Sequence, residues 1–254
     1  MTSEVPVRVA STTMLVRDAP NLQVMMVKRN HQIDFFSGAM VFPGGKVEPD
    51  DLDPAWARLA AGWADVPEEE RGPRIAALRE TFEECGVIAA TSSERLPAFD
   101  VRTTRAAMEA GKLSFLDVIG SNDIRIDLTR LGLFARWLTP PIVPKRFDTF
   151  FYLTEMPDGQ KVAHDGRETV ENEWIEPAAA LRLAETGRRT IVFPTRMNLR
   201  LLAQSATVRQ AIEAATVRKS RQVSPRVERR GAERYLMLSP EDGYGDVEEL
   251  LEIG

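Results

Sequence analysis

Cysteine and histidine are almost missing from this sequence. Of its 254 residues, one is cysteine (Cys85) and two are histidine (His31 and His164). A single cysteine excludes an intramolecular disulfide, and two isolated histidines do not make a zinc site. We therefore expect a reduced chain, stabilised by a hydrophobic core in which Cys85 is a small packing residue.

Excess positive charge and long apolar runs are also lacking. The net charge is −5, so the basic surface that recognises nucleic acid polymers is absent. No apolar run approaches the roughly 20 residues that cross a bilayer, and the first residues do not resemble a secretory signal. A glycine-rich dinucleotide fingerprint and a phosphate-binding P-loop are absent as well. We expect a cytoplasmic chain that binds neither nucleic acid nor a membrane.

Residue patterns predict a mixed sheet flanked by helices, in the α/β class. Strands are predicted at 7–17, 22–29, 133–139, 146–154 and 168–175, and helices at 73–85, 177–187 and 194–215, with a mostly helical stretch at 92–132. We interpret residues 1–254 as a single domain with insertions at about 52–72 and 91–132 and an extension at about 216–254. The first insertion is acidic and proline-rich, which favours a surface segment, and the basic stretch 218–230 favours a solvated tail.

The helix at 73–85 places acids on one side. Ile75, Leu78, Phe82 and Cys85 share one face, and Glu80, Glu83 and Glu84 share the opposite face. Neighbouring carboxylates at this spacing repel one another. A hard divalent cation such as Mg²⁺ would relieve the repulsion, whereas the simpler alternative is a solvated acidic face.

A glycine pair precedes this helix in the chain. Gly44 and Gly45 follow Phe42 and Pro43. Paired glycines allow a sharp turn that presents backbone carbonyls to a metal or a ligand. Most glycine pairs are simply turns, so the pair gains meaning only together with the glutamates.

Together these features resemble the Nudix box, which is a glycine, five residues, a glutamate, seven residues and then Arg-Glu-apolar-any-Glu-Glu-any-Gly-apolar. Residues 79–87, RETFEECGV, match the second half, with Thr81 at a usually aliphatic position. Gly45 matches the first glycine, and Asp51 stands where Glu is usual. Because 27 residues rather than seven separate Asp51 from Arg79, the box carries an insertion. The resemblance implies a Nudix-type α/β/α sandwich with helical insertions.

The resemblance extends over roughly residues 7–205 to the branch of the mammalian Nudix nineteen proteins, which act on coenzyme A and acyl-coenzyme A. Members of that branch similarly carry Phe-Pro-Gly-Gly, an interrupted box and segments like RWLTP (136–140), RFDTFFYL (146–153) and ETVENEW (168–174). Of a coenzyme A signature, Arg29, Gly38 and residues 42–45 fit, whereas Asp34 stands in place of a second Arg.

This resemblance implies a role for each site residue. Glu83 and Glu84 would bind Mg²⁺, or Mn²⁺, with help from Glu80 and from the Gly44 carbonyl, and Arg79 would fix the box loop by pairing with Asp51 or Glu83. A later carboxylate, Glu168 first and Glu171 next, would complete the site or deprotonate water. Arg29 and Arg146 are candidates for substrate phosphate contacts.

Three functions remain open. The first is hydrolysis of the diphosphate of coenzyme A or acyl-coenzyme A, and the second is hydrolysis of ADP-ribose, a dinucleotide or a nucleotide sugar. The third is a Nudix-fold binding module without catalysis, against which the retained acids Glu80, Glu83 and Glu84 count. The expected partner is a small-molecule diphosphate, and the tail is a candidate for covering the substrate or forming a homodimer.

Overall fold

The computed structural model describes residues 5–29, 38–91, 99–164, 169–218 and 222–251. The strands are β1 Val7–Asp18, β2 Leu22–Arg29, β3 Met40–Val41, β4 Gly44–Lys46, β5 Ala60–Ala61, β6 Ile126–Asp127, β7 Gly132–Leu138, β8 Arg146–Glu155, β9 Thr169–Ile175, β10 Gln222–Val223, β11 Arg226–Arg230, β12 Glu233–Leu238 and β13 Val247–Leu250. The α-helices are α1 Trp56–Leu59, α2 Glu68–Cys85, α3 Val101–Glu109, α4 Phe115–Ser121, α5 Pro177–Glu185, α6 Phe193–Leu202 and α7 Val208–Val217. The five predicted strands are confirmed to within one residue at either end.

Eight of the described strands form a mixed sheet. Its order is β10-β7-β8-β1-β2-β3, with β4 also paired to β1 and β9 also paired to β2. Strand β1 runs parallel to β8, from the pair Val7 and Arg146 to the pair Val16 and Glu155, and antiparallel to β2 and β4. The predicted mixed sheet is confirmed.

Successive side chains of β1 belong to two hydrophobic cores, one on each face of the sheet. Met14 belongs to a buried cluster that includes Met197 of α6. Leu15 belongs to a second cluster that includes Leu78 and Phe82 of α2. Because successive side chains of a strand point to opposite faces, helices cover both faces and produce the α/β/α layers.

Helix α2 begins earlier than the sequence pattern predicts. It starts at Glu68 rather than Pro73, and its first turn holds Glu68, Glu69 and Glu70. Negative side chains stabilise a helix N-terminus through the peptide dipoles. Pro73 therefore lies inside the helix, where it forgoes one backbone hydrogen bond. The predicted start was wrong because a proline also suits a first turn.

The segment 52–72 is more than a surface insertion. Trp56 in α1 is 1% exposed, its ring lies 5.8 Å from that of Phe115, and its Nε1 donates to the Asp50 carbonyl at 2.9 Å. The prediction of a surface segment is wrong for Trp56. A tryptophan side chain has a large apolar area, and burying it stabilises the fold even within a segment that is rich in acidic residues.

The C-terminal part of the chain packs against the core. Strand β10 joins the main sheet beside β7, and β11, β12 and β13 form a second, antiparallel sheet. Leu238 is 2% exposed, and the Arg218 guanidinium lies 4.4 Å from the Phe134 ring centroid. For the stretch 218–230 the prediction of a solvated tail is wrong at the buried Val223 and Pro225, but it holds for the exposed Arg226, Arg229 and Arg230.

None of the helices in the described ranges combines the length and the apolar character that crossing a bilayer requires. The homodimer and the cytoplasmic location stay predictions.

Candidate active site

Helix α2 is buried on both of its long sides. Ile75, Leu78 and Phe82 are 0% exposed, which confirms the predicted apolar face. Glu80 and Glu84 are also buried, whereas the Glu83 side chain is 34% exposed. A solvated acidic face is thereby excluded, because burying carboxylates is costly unless they are paired or hydrogen-bonded.

The glycine pair brings β4 close to both β1 and α2. A Cβ on Gly44 would lie 2.4 Å from the Ser11 carbonyl oxygen, and one on Gly45 would lie 2.2 Å from Glu80 Oε1. Both glycines are strand residues. They are needed because they lack a side chain, which allows the close approach, and not because the chain turns sharply there. The Gly44 N–H donates to Glu84 Oε2 at 2.9 Å. The glycine pair thus places its backbone directly against two glutamates of the box helix.

Arg79 connects the two halves of the interrupted motif. Its guanidinium donates to both carboxylate oxygens of Asp51 at 2.9 and 3.0 Å, and to the Lys46 carbonyl at 2.8 Å. It also donates to Glu80 at 2.9 Å and to Glu83 at 3.1 Å. The prediction that Arg79 pairs with Asp51 or Glu83 is confirmed for both.

Charge holds this cluster together despite its burial. Burial by itself lowers the pKa of Arg79, but the hydrogen bond to Asp51 and the charges of Glu80, Asp51 and Glu83 outweigh it and raise that pKa. Burial raises the pKa of the Asp51 carboxyl, and the hydrogen bonds from Arg79 act against that rise. Arg79 is therefore a permanent cation between three carboxylates.

The three glutamates suit a hard divalent cation in donor type and placement. Carboxylate oxygens are the ligands Mg²⁺ takes, and residues three and four apart are neighbours on a helix. As they stand, no cluster of His, Cys, Asp or Glu in the described residues is gathered tightly enough to hold a metal ion. Arg79 draws Glu80 and Glu83, and the Gly44 N–H holds Glu84. The donors fit the cation, and binding it would require them to turn from these partners.

The predicted later carboxylates have different outcomes. Glu168 lies outside the described residues. In the β2–β9 register Glu171 lies opposite Lys28, and the neighbouring Asn172 lies opposite Val27. Val27 faces the core formed with α2. Alternation puts Glu171 on the other face of the sheet, where its carboxylate is 2.9 Å from Arg189. That hydrogen bond lowers the pKa of Glu171, so Glu171 as the completing base is wrong.

The two predicted phosphate contacts lie in different places. Arg29 pairs across β2–β9 with Thr169, whose hydroxyl is 3.4 Å from the Glu84 carbonyl oxygen. Arg146 begins β8, is 6% exposed and donates from Nε to the Thr139 carbonyl at 3.2 Å. Arg29 thus lies beside the C-terminal end of α2, and Arg146 fastens the connection between β7 and β8. Both substrate roles stay predictions.

Hydroxyl residues of β1 were missed by the sequence analysis. Thr13 Oγ1 donates to the Ala77 carbonyl at 3.0 Å, and Thr12 Oγ1 donates to the Pro43 carbonyl at 2.7 Å. These bonds tie β1 to α2 and to the chain before the glycine pair. Three consecutive hydroxyl residues, Ser11 to Thr13, between apolar residues of the strand were the signal that pointed to them.

A cleft of about 440 Å³ lies at a different part of the surface. Its lining includes Thr91, Arg130, Glu155 and Ile212, and it shares no residue with β4 or with the glutamate face of α2. We assign the candidate site to the glutamates and not to this cleft, because convergent charged groups carry the chemistry.

Comparison with known proteins identifies the surrounding fold. A family model described as the NUDT19 Nudix domain matches residues 63–201. The crystal structure of a NUDIX hydrolase from Alicyclobacillus acidocaldarius superposes with a TM-score of 0.74 at 25% identity, covering 83% of this chain and 97% of that one.

Curated relatives match over part of their length. One from Caenorhabditis elegans, named as nudix hydrolase 7, is 30% identical over 184 residues, which is 72% of this chain and 56% of that protein. The acyl-coenzyme A diphosphatase NUDT19 of Xenopus laevis is 24% identical over 63% of this chain and 54% of its own length, and the Homo sapiens protein of that name is 25% identical over 64% and 55%. The chain therefore spans about half the length of these relatives.

Proposed function

Because this chain belongs to the NUDT19 Nudix domain family of Nudix hydrolases, we propose that it hydrolyses the diphosphate linkage of a small nucleotide-containing molecule with Mg²⁺ or Mn²⁺. The observation that carries the proposal is that the two halves of the interrupted Nudix box lie in contact in the folded chain. Arg79 joins Asp51, the Lys46 carbonyl and two glutamates of α2 in one cluster.

Each residue of the cluster has a proposed task. A bound divalent cation would neutralise diphosphate charge and orient a water for in-line attack. Glu83 and Glu84 would hold the cation with Glu80, and the Gly44 carbonyl is a further candidate ligand. Arg79 keeps the glycine strand against the helix through the Lys46 carbonyl, and it fixes the following turn through Asp51. Glu168 is our candidate for accepting the proton of the attacking water.

We propose coenzyme A or an acyl-coenzyme A as the substrate. The names of the NUDT19 relatives support this class, as do Arg29, Gly38 and residues 42–45. Arg29 lies beside the C-terminal end of the glutamate helix, and its proposed role is to contact a phosphate of the substrate. The alternative class is ADP-ribose, a dinucleotide or a nucleotide sugar.

The test compares kcat/KM for coenzyme A, an acyl-coenzyme A, dephospho-coenzyme A and ADP-ribose at one Mg²⁺ concentration, with products separated by chromatography. We expect adenosine 3′,5′-bisphosphate from coenzyme A, and a large loss with the dephospho analogue because a site built for a polar group is left unpaired without it. Preference for ADP-ribose, or indifference to the 3′-phosphate, would reject coenzyme A and leave a diphosphatase. No hydrolysis of any substrate with either metal would favour a binding module.

A further inference from the structure

Ser11 has a buried hydroxyl group that, within the described residues, makes no contribution to the fold through hydrogen bonding. The residue is 1% exposed, and Ser11 Oγ makes no hydrogen bond in the described part of the structure. Leaving a buried hydroxyl unpaired costs about 1–3 kcal/mol. Thr13, two residues along the same face of β1, does satisfy its hydroxyl, on the Ala77 carbonyl.

The β1–β4 register places Ser11 beside the Glu80 carboxylate. Ser11 lies directly opposite Gly45, and side chains of opposed antiparallel residues share one face, with Cβ atoms about 4.5–5.5 Å apart. On that face the space of a Gly45 Cβ is taken by the Glu80 carboxylate, 2.2 and 2.8 Å from its two oxygens. The unpaired hydroxyl and the carboxylate are therefore neighbours.

Glu80 has two competing attractions in this neighbourhood. In the structure its Oε1 accepts from Arg79 at 2.9 Å. A cation bound to the box glutamates would compete with Arg79 for that carboxylate. Ser11 is the neutral donor that can hold Glu80 once that carboxylate has turned away from Arg79, and among the described residues the Ser11 hydroxyl has no other hydrogen bond to give up.

We propose that Ser11 is a positioning residue for the divalent-cation site, donating its hydroxyl to Glu80 when the cation is bound. The inference rests on the proposed function. It accounts for a polar side chain at a buried strand position opposite Gly45.

The test measures Mg²⁺ affinity of the full chain by calorimetry, and Mn²⁺ affinity by electron paramagnetic resonance, together with urea unfolding. Ser11→Ala is expected to weaken Mg²⁺ binding about tenfold, which is about 1.4 kcal/mol, without lowering stability, because it deletes an unpaired group. Thr13→Val is the matched control. It is expected to lower stability, by removing the bond to Ala77, and to leave Mg²⁺ affinity unchanged.

Two further variants make the result decisive. In a Glu80→Ala background, which has no acceptor for the hydroxyl, Ser11→Ala should have no additional effect on affinity, and Ser11→Cys, a weak donor of similar size, should fall between serine and alanine. Unchanged affinity in Ser11→Ala, or an equal loss in the Glu80→Ala background, would overturn the assignment. Failure of the unmodified chain to bind Mg²⁺ or Mn²⁺ would instead reject the proposed function, and the assignment with it.

Discussion

Arg79 and Asp51 form a two-bond ion pair across 28 positions of the chain. Asp51 is 1% exposed, so the pair is buried. Planar guanidinium and carboxylate groups match in this geometry, which fixes orientation as well as distance. The long insertion is tolerated because this pair, together with the bond from Arg79 to the Lys46 carbonyl, joins the two halves of the motif without relying on proximity in the chain.

We predict that Asp51→Asn lowers the free energy of unfolding by about 3–5 kcal/mol, because it leaves the buried Arg79 cation without its main partner. Urea denaturation followed by circular dichroism measures the change. Asp50→Asn, at an exposed neighbour, is the control and should change stability by less than about 0.5 kcal/mol. Equal losses in the two variants would contradict a specific role for the pair.

Glu83→Gln and Glu84→Gln are each predicted to lower turnover by about two to three orders of magnitude while the fold stays intact. A metal ligand contributes several kcal/mol of charge stabilisation, and each 1.36 kcal/mol is about tenfold in rate. Diphosphate hydrolysis at saturating Mg²⁺ provides the measurement. Glu185→Gln, an exposed residue of α5, should keep full activity, and near-normal turnover in a box variant would remove that residue from the metal site.

Trp56→Ala is predicted to cost about 3–5 kcal/mol of stability, since it empties a buried aromatic position. The matched control is Leu52→Ala, because Leu52 belongs to the same segment but is 61% exposed. Thermal or urea unfolding of the two variants should separate them clearly. A small effect of Trp56→Ala would restore the interpretation of 52–72 as a dispensable surface insertion.

Sequence reasoning succeeded where the signal is local. Strand β1 follows from a run rich in β-branched residues, β2 follows as the returning strand after the turn residues 18–21, and the buried face of α2 follows from the spacing of Ile75, Leu78 and Phe82. The pairing of Arg79 with Asp51 or Glu83 was implied by the resemblance to the Nudix box. The motif therefore predicted most of the residues of the candidate site.

Long-range packing was out of reach of the sequence. Trp56 is buried against Phe115, which lies 59 positions later in the chain. No local sequence pattern predicts that contact. Glu171 was a reasonable choice by position, but the face it occupies is decided by the β2–β9 register. A one-residue change of register moves a side chain to the opposite face, and the sequence alone does not specify the register.

High pH is predicted to loosen the C-terminal sheet through Tyr244. Its Oη donates to Asn198 Oδ1 at 2.7 Å and accepts from Trp137 Nε1 at 3.2 Å, and burial raises its pKa from 10.0 to about 12. The unfolded chain loses this proton near pH 10, so the stability is fully present below pH 10 and is lost as the pH rises towards 12. Urea unfolding at several pH values should show a shallower loss in Tyr244→Phe, and parallel curves would contradict the prediction.

Arg29→Gln is predicted to raise KM for the diphosphate substrate about tenfold, with a smaller change in kcat. Arg29 shares the α2 face of β2 with Val27, and its partner Thr169 contacts the carbonyl of Glu84. A charged hydrogen bond to a substrate phosphate is worth about 1.5–3 kcal/mol, and about 1.4 kcal/mol corresponds to tenfold. Lys28→Gln is the matched control, because Lys28 is the adjacent cation and alternation turns it to the opposite face, where it lies 3.7 Å from Glu171. Steady-state kinetics at fixed Mg²⁺ should show the KM change in Arg29→Gln alone, and equal changes in both variants would reduce the effect to net charge and remove Arg29 from the substrate site.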